Sequence, residues 1–222
     1  KLFFRSSTLW LSTSLLVIGC LSGCQPSSST SQAAAEQTKL SPTSSLTPSS
    51  PFKLARIPEK EQIKTLMAYD HHQQLRQLKD FNGKVVALFF GYTHCPDVCP
   101  TTLGDFSYIM KQLSPEEQKD FQVIFMTVDP ERDTPDLLKQ YVPSFYPSFL
   151  GFYTTPEKTA VIAKDFKIFY QKSKNASQST YTIDHTAGGY ILDKKGRLRL
   201  HFEHAQDPEL ILHDLRILLK EA

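Results

Sequence analysis

The chain is short of cysteine, of net charge and of long apolar runs. Only four of its 222 residues are cysteines, at positions 20, 24, 95 and 99. Cys20 and Cys24 fall in an N-terminal stretch that does not read as a folded domain, so only Cys95 and Cys99 serve everything after it. Two cysteines four apart exclude a disulfide scaffold for a domain of this size and indicate a local site, redox or metal. Charge is nearly balanced, with a formal net of +2. The excess is Lys1 and Arg5; beyond residue 23 there are 23 basic and 23 acidic residues. That balance excludes the basic footprint of a nucleic-acid binder. The apolar run from Leu9 to Gly23 is shorter than the roughly 20 residues a membrane span needs, and four Ser or Thr interrupt it.

What the N-terminus does contain is an address. Lys1 and Arg5 form a short positive region, Leu9 to Ile18 an apolar stretch, and Leu21-Ser22-Gly23-Cys24 a run of small residues before a cut point. This order describes an export signal over residues 1–23. Leu-Ser-Gly-Cys looks like a bacterial lipobox, which implies cleavage before Cys24 and lipidation of its thiol. Val17-Ile18-Gly19-Cys20 is a weaker second candidate. Such an anchor holds the mature protein at a membrane on the periplasmic side of a cell envelope. In residues 25–51, 17 of 27 are Ser, Thr or Pro. That composition cannot bury enough apolar surface to fold. As a flexible coil it spans roughly 30 Å, and residues 24–51 read as a tether.

Residues 52–222 suit one domain with a full core, and their pattern alternates. Leu66–Tyr69 and Gln74–Leu78 flank the polar turn Asp70–Gln73, an expected hairpin. Val85–Phe90 and Val123–Val128 are continuous apolar runs, expected as strands buried on both faces. A helix is expected from about Cys99 to Leu113. Thr134-Pro135-Asp136, Thr155-Pro156-Glu157 and Asp207-Pro208-Glu209 each place a capping residue, a proline and an acid at a helix start. Ser114-Pro115-Glu116-Glu117 opens only a short turn. Phe149–Phe152 and Ile168–Lys172 are strand-like, and Gly189–Leu192 and Leu198–Phe202 flank a hairpin turn at Asp193–Gly196. The order predicts an α/β fold with a mixed central sheet flanked by helices and an N-terminal hairpin. It matches a thioredoxin-like fold among other three-layer arrangements.

Gly91-Tyr92-Thr93-His94-Cys95-Pro96-Asp97-Val98-Cys99-Pro100 lies where a buried strand ends and a helix begins, the position at which α/β sheets gather ligands. A helix N-terminus favours thiolate. Cys-x-x-Cys is the usual redox spacing; here three residues intervene. An i, i+4 pair on a helical turn would point both sulfurs to one side, while a disulfide stays within reach. Two thiolates favour copper(I), zinc or an iron–sulfur cluster. A cluster wants four cysteines and structural zinc four ligands, whereas copper(I) tolerates few, soft donors. Asp184-His185-Thr186, read as a loop before Gly189–Leu192, offers His185 as a third donor, with Asp184 either orienting its ring or capping the turn. His94 reads as rim, with its ring turned from Cys95. His71, His72, His201 and His204 read as solvated surface histidines. Asp129–Asp133 reads as a docking loop or a salt-bridged loop, and Phe90 and Tyr92 as core.

GYTHCPDVCPTTL, then TVDPERDTPDLLKQYV, then Tyr181-Thr-Ile-Asp-His185-Thr and Lys195-Gly196-Arg197 together resemble the Sco/SenC family from about Lys84 to the C-terminus. One departure precedes Lys84: Asp70-His71-His72-Gln73 stands where the family usually has a glycine-containing turn. The resemblance implies a thioredoxin-like fold and copper bound by Cys95, Cys99 and His185, with a disulfide between the two cysteines in the oxidised form. It implies that the protein delivers copper to, or reduces the cysteines of, the dinuclear copper site of cytochrome c oxidase subunit II or a similar acceptor. The alternative is a thiol–disulfide oxidoreductase of the envelope with no delivery role. A peroxidase of the same fold would need a different motif around its thiol.

Overall fold

The computed structural model describes residues 50–58, 66–174 and 181–221. The expected export signal at 1–23, both candidate lipidation cysteines and the expected tether up to residue 49 lie outside the described residues.

Eight strands form one mixed sheet in the order β1 (Ala55–Arg56), β10 (Leu198–Phe202), β9 (Gly189–Leu192), β4 (Val85–Gly91), β5 (Phe121–Thr127), β6 (Leu150–Tyr153), β2 (Met67–Asp70), β3 (Leu75–Gln77). The central strands β4, β5 and β6 run parallel, and β9 and β2 flank them antiparallel. Every residue of β4 and β5 is buried, as expected of strands covered on both faces.

Strand alternation sorts these residues into two cores. Val85, Ala87, Phe89, Val123 and Phe125 pack with α1 (Val98–Gln112), α3 (Pro135–Tyr141) and α5 (Pro208–Lys220). Val86, Leu88, Phe90, Ile124 and Met126 pack with α4 (Pro156–Asp165) on the other face. The three proline-marked starts behave as read. Thr134, Thr155 and Asp207 each accept a hydrogen bond from a first-turn backbone N–H. Ser114 opens α2 (Pro115–Lys119), one five-residue helix with a complete capping box.

The expected hairpin forms, and two other expectations change. The hairpin β2–β3 forms without glycine, because Gln73 adopts φ 63° and the buried Asp70 carboxylate accepts from the His72 and Gln74 N–H groups and from Arg76. His71 in that turn is not a solvated surface residue. It is 3% exposed, and its Nδ1 accepts the Gly151 N–H at 3.0 Å. The segment read at Ile168–Lys172 is strand β7 (Tyr170–Ser173), and it pairs with β8 (Thr182–His185) in a separate two-stranded sheet. His185 thus ends a strand rather than sitting in a loop. Tyr170 faces it in register. No helix among the described residues is long and apolar enough to cross a membrane.

Candidate metal centre

β4 carries Gly91 to the carboxyl end of the sheet, the chain turns through Cys95, and α1 begins at Val98. Cys95 therefore precedes the helix, and the i, i+4 helical geometry expected from the spacing does not operate. A different contact aligns the sulfurs. The Asp97 side chain makes no capping bond at the start of α1, and Cys95 Sγ accepts the Cys99 backbone N–H at 3.5 Å. The sulfur thus does for α1 what Thr134, Thr155 and Asp207 do for α3, α4 and α5.

That position controls the proton inventory. The Cys99 thiol, donating to Cys95, is the largest influence holding the Cys95 thiol down at about 3. Burial opposes it, while His185 and the Cys99 and Asp97 N–H groups reinforce it. The same shared proton, followed by burial, pushes Cys99 far up. The metal-free pair therefore holds one charge, on half-buried Cys95, and one proton, on Cys99, which is 1% exposed.

His185 completes the group. Its Nδ1–H donates to the Thr186 carbonyl at 2.9 Å, which leaves Nε2 as the nitrogen that faces the sulfurs. Nε2 lies 3.8 Å from Cys99 Sγ, and the three donor atoms of Cys95, Cys99 and His185 lie within 4.8 Å of one another. Ligand bonds of about 2.0–2.3 Å reach at most about 4.6 Å across one ion, so a closure of a few tenths of an ångström or more brings the three donors onto it. No fourth His, Cys, Asp or Glu joins this group among the described residues. Two soft sulfurs and one imidazole fit a soft ion of low coordination number better than structural zinc. A cleft of about 410 Å³ between the Cys95 turn and β8 opens the site to solvent.

Asp184 is exposed and does not orient the imidazole; the Thr186 carbonyl does. His94 is rim, as read. It is half exposed, with Nδ1 3.1 Å from Thr93 Oγ1, and it stands outside the three-donor group. His201 and His204 are partly exposed and take no part either. Tyr92 is core, 2% exposed, but its hydroxyl also accepts the Ile183 N–H at 3.2 Å. Its ring meets the His185 ring edge-on at 5.9 Å.

The loop Asp129–Asp133 has a role the sequence did not reveal. Asp133, fully buried, accepts from Thr93 N–H at 3.1 Å, from Thr93 Oγ1 at 2.5 Å and from Thr127 Oγ1 at 2.5 Å. It thereby braces the turn that holds Cys95. Tyr141, at the end of α3, was also missed. Its hydroxyl is buried with no hydrogen-bond partner among the described residues. Burial, and then electrostatic coupling to the nearby cysteine pair, push its phenol up.

The SCO1/SenC family model matches residues 58–220. The mitochondrial SCO2 homolog of Bos taurus is 34% identical over 148 residues, which cover 66% of this chain and 56% of the bovine protein. An SCO2-like protein of Rickettsia prowazekii is 36% identical over 135 residues, 60% of this chain and 65% of that protein. The chain thus spans less than two thirds of the length of these curated relatives. Among solved structures, copper-bound ScoI of Bradyrhizobium japonicum is 35% identical with a TM-score of 0.64, covering 70% of this chain and 98% of that one. Apo Sco1 of Thermus thermophilus is 39% identical with a TM-score of 0.64, covering 76% and 97%. The fold is thioredoxin-like, as the order of elements predicted. With the family's model matched across almost the whole described domain, the chain belongs to the SCO1/SenC family.

Proposed function

We propose that this protein is a copper-binding Sco protein that takes up copper(I) through Cys95 Sγ, Cys99 Sγ and His185 Nε2. In this reading it serves cytochrome c oxidase assembly by passing the metal to the dinuclear copper site of subunit II or a similar acceptor. The observation that carries the reading is the convergence of two sulfurs and one imidazole nitrogen within 4.8 Å at the mouth of an open cleft. The copper-bound relative from B. japonicum supports it, as does the family resemblance. The ion is cargo. Thiolates bind it, so loading expels the Cys99 proton, and a competing donor can enter from the cleft. The export signal over 1–23, lipidation at Cys24 and the tether 24–51 would hold the domain 52–222 at a membrane near that acceptor.

Anaerobic copper(I) titration of the reduced domain should saturate at one equivalent. Binding should weaken strongly in Cys95→Ser, Cys99→Ser and His185→Ala, and vanish once the two cysteines are oxidised to a disulfide. Unchanged affinity in His185→Ala would overturn the three-donor site. Deletion in the host at limiting copper should lower oxidase activity, and added copper should restore it; oxidase activity that stays normal would remove the delivery role.

One observation favours a second reading, thiol–disulfide exchange on the acceptor. Cys95 is a half-buried thiolate beside a buried thiol. Cys95 would attack a partner disulfide, expelling one partner thiolate. Cys99, losing its proton, would resolve the mixed disulfide, leaving the partner reduced by two electrons and Cys95–Cys99 oxidised. His185→Ala should weaken metal binding strongly but spare this exchange.

A further inference from the structure

The donors sit on two separate pieces of the chain. The sulfurs ride on the β4–α1 turn, anchored in the main sheet. The imidazole rides on β8, which among the described residues pairs only with β7 and with no strand of the main sheet. Side chains must therefore hold β8 at the right distance from the sulfurs.

One hold is the Tyr92 hydroxyl, which accepts the Ile183 N–H; the other is a clamp in the loop after β5. Arg132 Nε pairs with the buried Asp129 carboxylate, and Arg132 Nη1 donates to the Tyr181 carbonyl at 2.8 Å. The guanidinium lies over the Tyr181 ring at 3.6 Å and 5.8 Å from the Tyr92 ring. Tyr181 returns its hydroxyl to Asp129 at 2.7 Å. Arg132 Nη2 is buried with no hydrogen-bond partner among the described residues; its charge also meets the faces of the two tyrosines. Tyr181 immediately precedes β8, four residues before His185. The neighbouring Asp133 braces Thr93, two residues before Cys95. One five-residue loop after β5 thus grips both halves of the donor set.

We propose that Arg132, held by Asp129, is a positioning residue for His185: it pins Tyr181 so that the imidazole reaches the sulfurs. The proposal rests on the three-donor reading above. Arg132 touches neither metal nor sulfur and acts only through β8. A group bonded directly to a ligand is typically worth about 10–100-fold in metal affinity; Arg132 acts one contact further out, so its effect belongs at the lower end.

The test is a double-mutant cycle by anaerobic copper(I) competition titration on the reduced protein, with thermal unfolding recorded for each variant. Arg132→Ala should weaken binding about tenfold and cost nothing further in a His185→Ala background, because the residue it positions is gone. Tyr181→Phe, which keeps the ring and the carbonyl, should lose only about two- to threefold by the same route. Arg132→Lys serves if Arg132→Ala does not fold. It keeps a charge over the ring but cannot bridge Asp129 and the Tyr181 carbonyl together, so it should also weaken binding severalfold. In metal-free protein, the imidazole NMR signals of His185 should shift and broaden in Arg132→Ala. Arg132→Ala binding within twofold of wild type, or weakening the His185→Ala background equally, would overturn the proposal while leaving the three-donor site intact. His185→Ala binding as tightly as wild type would instead overturn that site itself.

Discussion

Cys99 Sγ and His185 Nε2 lie 3.8 Å apart across 86 residues of sequence, and the Cys99 side shows how tightly that meeting is packed. A Cβ added to Gly91, at the end of β4, would stand 2.5 Å from Cys99 Sγ and 2.7 Å from Phe125 Cε2. Glycine is needed here for the close approach, not for an unusual backbone angle.

Gly91→Ala should therefore act as an overpacking change beneath the sulfur. It should cost about 1–3 kcal/mol of stability and weaken metal binding by displacing Cys99. Urea unfolding and copper(I) titration of the same variant check both effects; a variant as stable and as tight as wild type would show that the sulfur has room to move.

The shared proton makes stability depend on pH. Cys95 falls from its ordinary 9.0 to about 3 in the folded protein. Between those values the unfolded chain carries a proton that the folded chain has shed, so stability rises with pH across that window. Above about 9 the trend reverses, since the folded chain keeps the Cys99 proton that the unfolded chain loses. Urea midpoints of reduced protein at pH 5 and pH 8 should show wild type gaining on Cys95→Ser as pH rises. A constant difference between the two would contradict the depressed thiol.

Asp133 should be structural. Asp133→Ala leaves the Thr93 N–H and the Thr93 and Thr127 hydroxyls without their buried acceptor, at about 2–3 kcal/mol. Asp133→Asn keeps one oxygen, and a threonine hydroxyl can turn to accept from the new amide, so it should cost about 1 kcal/mol. Equal losses for the two would mean that the negative charge matters more than the acceptors.

Asp184→Asn should leave copper(I) affinity within about twofold of wild type, because the imidazole is oriented by the Thr186 carbonyl and not by this exposed carboxylate. A large loss on titration would restore Asp184 as the orienting group.

The features legible in the sequence were those written locally. Thr134-Pro135-Asp136 starts a helix because cap, fixed φ and first-turn acid are adjacent. Val85–Phe90 is a central strand because it is apolar on both faces. The three donors were legible through motif and resemblance. What was hidden depends on partners distant in the chain. His71 is polar by type but buried, because Gly151 N–H, 80 residues away, needs an acceptor. Arg132 reads as one charge in a charged loop, and only the fold brings it to Tyr181, 49 residues on. His185 was placed in a loop because the pairing of β8 with β7 leaves no periodic signature in four residues. The wrong geometry for Cys95 had a similar cause: the spacing fits a helical turn, but α1 starts only at Val98.

The separate β7–β8 ribbon divides the donors between parts of unequal stiffness. Two ride on a turn anchored in the eight-stranded ladder, and one rides on a ribbon that shares no rung with it and is held to it by side chains. A captured ion therefore acts as a rivet between scaffold and flap, and amide protons of residues 181–186 should exchange more slowly once it is in place.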